Sequence, residues 1–136
     1  MAFTSTNPAT GERIDEYALH TSDEVETRLE RAESAAEAQA ARSYEERAAR
    51  LERVAERLED RADEYGRLMT REMGKPLDQA EAEAEKCAWV CRYYAEHGAD
   101  FLADESVETG AERSYVAYEP LGPVLAVMPW NYPFWQ

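Results

Sequence analysis

The sequence predicts an α/β protein, on three observations. Two capping boxes, Thr21 with Glu24 and Ser43 with Glu46, open long runs of strong helix formers. Beyond Gly98 the pattern changes to a period of two, with Tyr115, Ala117 and Glu119 alternating with Val116 and Tyr118. A continuous apolar run, Val124 to Met128, then stands between Pro123 and Pro129, as in a strand buried on both faces of a parallel sheet.

At the start, Phe3 to Thr6 and Arg13 to Ala18 flank Asn7-Pro8-Ala9-Thr10-Gly11, whose Pro and Gly punctuate a small extended hairpin. The first capping box starts an alanine-rich helix that runs to about Ala41. The second starts one longer helix, on which Leu51, Ala55, Leu58, Ala62, Tyr65 and Met69 form an apolar stripe and which Gly74 and Pro76 end. A third helix is expected from about Leu77 to His97, with Ala80, Ala84, Cys87, Cys91 and Tyr94 as its stripe and Gly98 closing it. The strand around Tyr115 to Glu119 suits an edge or hairpin position. After the apolar run come four large aromatics, Trp130, Tyr132, Phe134 and Trp135, within six residues. Such an end would be a sticky exposed patch, so the chain is expected to be truncated there.

With 136 residues, 44% of them hydrophobic, the chain can bury one ordinary core. Acids outnumber bases 29 to 15, for a net charge of −14, and a surface of that sign repels phosphate backbones, which argues against nucleic acid as a partner. Many acids, with Arg preferred over the two lysines Lys75 and Lys86, also resembles the halophilic composition of salt-loving archaea; an ordinary acidic surface is the alternative. Neither a basic leader nor an apolar span is present, so a cytoplasmic protein without a membrane partner is expected. Cys87 and Cys91, four apart on one helical face, read as core neighbours in a reducing compartment. A metal site built from them and His97 lacks a fourth ligand, so none is expected, and His20 has no evident partner. For Lys75 a phosphate contact is weighed against a charge that favours the helix dipole, and the dipole is preferred.

Ligands of open parallel sheets bind just beyond the carboxyl ends of strands, and Asn131 stands two residues past such an end. Its amide can donate two hydrogen bonds to a carbonyl oxygen that becomes an oxyanion, although an Asn in this place is also a common turn former.

Pro129-Trp130-Asn131-Tyr132-Pro133-Phe134 resembles the Pro-Trp-Asn-aromatic-Pro motif of the aldehyde dehydrogenase superfamily, preceded as there by a Pro-Leu-Gly-Pro turn and an apolar strand. Asn7 to Glu12, Glu46-Arg47 and Glu72 to Leu77 match in the same order, so the resemblance covers the whole chain. It implies the N-terminal part of that fold, incomplete: a hairpin and helices of a Rossmann-like cofactor domain over 1–101, an oligomerisation hairpin over 102–120, and the first strand of the dinucleotide-binding sheet with its Pro-Trp-Asn loop over 121–136. Pro120 to Gln136, with Cys87 to Cys91 and Arg92 to Tyr94, is most similar to the succinate-semialdehyde dehydrogenases of the family.

In that family a cysteine thiolate attacks the aldehyde, the motif Asn holds the resulting oxyanion, hydride passes to NAD or NADP, and a glutamate-activated water releases the acid. The resemblance gives Asn131 the oxyanion role, places Val127, Met128, Pro129 and Trp130 at the nicotinamide end of the cofactor cleft, and puts Tyr132 at the substrate tunnel. The catalytic Cys, the general-base Glu, the ribose-contacting Lys and the Gly-rich turn would belong to sequence after Gln136. The complete protein is therefore expected to oxidise a small aldehyde with NADP or NAD as a homo-oligomer, and this chain alone to be inactive. A non-catalytic acidic helical remnant that docks on a partner is the alternative.

Overall fold

The computed structural model describes residues 2–136. Strands β1 (Ala2–Thr6) and β2 (Arg13–Ala18) pair antiparallel, with Phe3 opposite Tyr17 and a bulge between Ser5 and Thr6. Asn7 sets the turn: its Oδ1 accepts from the Ala9 N–H at 2.9 Å, and its backbone carbonyl accepts from the Gly11 N–H at 2.8 Å.

Helix α1 (Ser22–Ala40) and helix α2 (Tyr44–Asp60) begin at the two expected capping boxes, each closed in both directions. α1 buries none of its residues. The single long helix expected from Ser43 to Gly74 is two, because Arg61 (φ −120°, ψ 22°) leaves the helical region between α2 and α3 (Ala62–Met73). Neither Gly nor Pro causes this break. The local charges favour a new start: Asp63 and Glu64 sit at the positive N-terminal end of α3, and Glu64 pairs with Arg61. Splitting the helix lets both pieces lie along α4 (Leu77–Phe101).

α4 continues through Gly98, which was expected to close it, and ends at Phe101. Gly98 is half-buried beside Tyr44 and Leu51, where packing on α2 holds the helix together despite the glycine. The core lies between α4 and its two partners and consists of Met69 and the small residues Ala55, Ala80, Ala84, Cys87 and Ala88. Tyr94, expected on the buried stripe, is instead exposed.

Of the strand expected over 115–119, only β4 (Tyr115–Val116) forms, antiparallel to β3 (Glu105–Ser106). The apolar run after Gly122 is not a strand, and Val124, Leu125 and Val127 are 85–90% exposed. A strand exists only through the ladder of a neighbour, and none of the four described strands lies beside this run.

Candidate functional site

The loop that carries Asn131 is held from below by α3 and α4. Gly74 ends α3 in the left-handed region (φ 74°), donating its N–H to the Thr70 carbonyl at 2.9 Å, and a Cβ added there would stand 3.2 Å from Pro8 Cγ. That turn brings the next residue, Lys75, under the start of α4, where its side chain is 7% exposed. Glu83 lies on the same face of α4 as Ala80, Ala84 and Cys87, with a side chain only 2% exposed. Lys75 Nζ and Glu83 Oε2 form a buried ion pair.

The other carboxylate oxygen of Glu83 accepts two successive backbone N–H groups, those of Phe134 at 3.0 Å and Trp135 at 3.1 Å. The cation of Lys75 also stands 3.8 Å from the centre of the Tyr132 ring, and Lys86 stands 4.0 Å from that of Trp135. Phe134 packs on Tyr65 of α3 with ring centres 4.9 Å apart. A further bond within the loop, from the Gln136 N–H to the Tyr132 carbonyl at 3.1 Å, closes a helical turn.

Above this anchored base, Pro129, Trp130 and Asn131 are exposed, Trp130 and Asn131 in a turn. Val127 and Met128 are exposed as well, so the five consecutive residues 127–131 are open to solvent rather than enclosed in a cleft. Tyr132, also exposed, places its ring against Lys75. Trp130 and Phe134 line a groove together with Thr4, Ser5, Leu68 and Glu72, with the Ser5 hydroxyl donating to Glu72 at 2.7 Å.

Two of the residues that fix this loop were not expected to. Lys75 answers to Glu83 rather than to a helix dipole, and Glu83 lies outside the expected site. A signal was present: Glu83 falls three residues after Ala80 and four before Cys87, an acid in the middle of an apolar stripe.

Cys87 and Cys91 are free thiols on α4, one buried and one half-buried, as their stripe positions predicted. Burial, and then the nearby charge of Glu83, pushes the Cys87 thiol up to about 11, and burial raises that of Cys91. Neither is activated as a nucleophile. His97 stacks edge-on against Tyr93 at 4.6 Å, and His20 stands 3.8 Å from Glu24. Among the described residues, no group of three or more His, Cys, Asp or Glu could hold a metal ion.

The model of the aldehyde dehydrogenase family matches residues 1–136. The chain belongs to the aldehyde dehydrogenase family. It is 46% identical over 136 residues to a probable succinate-semialdehyde dehydrogenase (NADP(+)) of Synechocystis sp., covering all of this chain and 30% of the relative. It is 44% identical over 139 residues to succinate-semialdehyde dehydrogenase (NADP(+)) 1 of Mycobacterium tuberculosis, again covering 30% of that protein. Among solved structures, it is similar to a succinic semialdehyde dehydrogenase from Streptococcus pyogenes in complex with NADP+. That similarity has a TM-score of 0.92 and 32% identity, over 98% of this chain and 30% of that one. The NADP-dependent glyceraldehyde-3-phosphate dehydrogenase from Bacillus halodurans is similar with a TM-score of 0.88 and 29% identity, over 99% of this chain and 30% of that one. The chain thus spans about 30% of the length of the relatives it matches, and its fold corresponds to the N-terminal part of the family fold.

Proposed function

We propose that the protein of full family length oxidises an aldehyde to the carboxylic acid with NADP or NAD, and that succinate semialdehyde is its substrate. The observation that carries this is the exposed Asn131 turn standing on a base locked by Glu83 and Lys75, in a chain whose whole length matches the family. The names of the relatives favour succinate semialdehyde and NADP(+).

Asn131 would donate its amide N–H to the aldehyde oxygen. That oxygen is neutral in the bound substrate and negative once a nucleophile has added, so the hydrogen bond strengthens as the transition state is approached. The exposed run of Val127, Met128, Pro129 and Trp130 suits the flat, largely apolar face of a nicotinamide ring. When bound there, the nicotinamide supplies the hydride acceptor. Tyr132 would border the aldehyde path from its seat on Lys75. Residues 1–136 alone are expected to turn over no aldehyde, because their two thiols, Cys87 and Cys91, pack within α4 away from Asn131's loop, and the family's catalytic Cys, general-base Glu and Gly-rich turn fall outside them.

Three further expectations belong to the same reading. Residues 102–120, exposed almost throughout, would pair with a neighbouring subunit of a homo-oligomer, and 121–136 would supply the first strand of the cofactor sheet and the Pro-Trp-Asn loop that follows it. No described helix is long and apolar enough to cross a membrane, and the two free thiols suit the reducing cytoplasm.

The test is NADPH formation by the full-length protein with a panel of aldehydes. Turnover is expected to be fastest with succinate semialdehyde and to exceed that with uncharged aldehydes of similar size. Pure, folded protein that reduces neither NADP nor NAD with any aldehyde would overturn the proposal.

A further inference from the structure

The ion pair under the Pro-Trp-Asn loop calls for an explanation of its own. A Lys and a Glu taken out of water lose hydration that their mutual attraction only roughly offsets, so such a pair is weak evidence of added stability. Here the two charges have a further set of partners. Glu83 uses one oxygen for Lys75 and the other for the N–H groups of Phe134 and Trp135, three and four residues beyond Asn131. Lys75 uses its remaining face on the ring of Tyr132, the residue that follows Asn131. The loop is therefore gripped on its first residue after Asn131 and again one turn later, by groups that are themselves immobilised in the core.

We propose that Glu83, with Lys75 as its counter-charge, is a positioning residue for Asn131: it fixes the direction in which the loop presents the Asn131 amide. The proposal rests on the oxyanion role given to Asn131 above. Two charge-assisted bonds from one oxygen leave the backbone at 134–135 little freedom to rotate. Asn131, three to four residues away across Pro133, inherits that constraint. Oxyanion stabilisation needs it, since a displacement of about 1 Å can slow a reaction by about 10²-fold.

The test uses the full-length protein with NADP and succinate semialdehyde. It follows the first-turnover rate of NADPH formation, NADP binding by fluorescence, and amide hydrogen exchange at Phe134 and Trp135. Glu83→Gln combined with Lys75→Met removes the buried ammonium along with its counter-charge and keeps an oxygen that can accept both N–H groups, so it is expected to retain their protection and a rate within about fivefold of wild type, as one neutral acceptor replaces a charged one. Glu83→Leu combined with Lys75→Leu leaves no charge buried, so it is expected to fold. Its amides at 134 and 135 should exchange faster, and its first turnover should slow by about 10²-fold with NADP affinity nearly unchanged. Adding Asn131→Ala to that pair should slow the reaction no further than Asn131→Ala alone, because both changes remove the same contact.

A folded Leu/Leu variant with wild-type rate and protection would overturn the positioning role, as would a triple variant whose loss is the product of its parts. If Asn131→Ala itself reacts at the wild-type rate, the oxyanion role falls and the positioning proposal falls with it. A slow Asn131→Ala beside a fast Leu/Leu variant removes the positioning role alone.

Discussion

Cys87 is 5% exposed between α4 and its partners, and its thiol sits at about 11 against an ordinary value of 9.0. An unfolded chain would lose that proton near 9, whereas the folded one keeps it to about 11. The contribution of this group to stability is therefore full below pH 9 and is lost as pH rises from 9 to about 11. Denaturant midpoints of wild type and Cys87→Ala should converge across that window, the variant being less stable by about 1 kcal/mol at neutral pH from the sulfur it no longer buries. Iodoacetamide should label Cys87 slowly at pH 7.5 while the protein is folded, and rapid labelling would contradict the burial. The core role of both cysteines was legible because their spacing matched an apolar stripe. Glu83 was not, because a helical Glu is by default a solvent-facing residue, and only the loop returning from fifty residues away gives it backbone partners to satisfy.

At the scale of elements, the closeness of α3 and α4 depends on Gly66. A Cβ at that position would stand 2.6 Å from Glu81 Cγ and 3.2 Å from the Glu81 backbone nitrogen, so the helices would have to separate. Gly66→Ala is expected to cost about 1–3 kcal/mol by overpacking, more than the roughly 1 kcal/mol that alanine gains in helix propensity. Gly98→Ala, in α4 with nothing within 4 Å of the added Cβ, should instead stabilise by about 0.5–1 kcal/mol. Thermal midpoints should move in opposite directions, and a shift of the same sign in both would contradict the packing described. The starts of α1 and α2 were readable to the residue, since a capping box is a local device. The break at Arg61 and the passage through Gly98 were not, because each follows from how α2, α3 and α4 pack together. The apolar run after Gly122 forms no strand here for the same reason: its composition suits a buried sheet, but a ladder requires a second strand.

Across the whole molecule, a net charge of −14 and an α1 that buries none of its residues give a surface dominated by carboxylates. If that surface is an adaptation to salt, molar KCl should raise the thermal midpoint of the full-length protein by screening repulsion among its acids. A midpoint that stays flat or falls with KCl would favour an ordinary acidic surface. The exposed apolar residues from Leu121 to Trp135 form the other large feature of the surface, next to the loop on which the proposed chemistry depends.

That chemistry is tested most directly at Asn131, by single-turnover rates of Asn131→Ala and Asn131→Asp in the full-length protein, each checked for folding by circular dichroism. As an oxyanion donor, Asn131 should give up about 10²- to 10³-fold in rate on change to Ala, roughly 3 to 4 kcal/mol, with cofactor affinity nearly intact. The Asp variant should be slower still, because it sets a carboxylate against the developing negative charge. A residue that only forms the turn would tolerate Asp almost as well as Asn. An Asp variant that reacts near the wild-type rate would contradict the account.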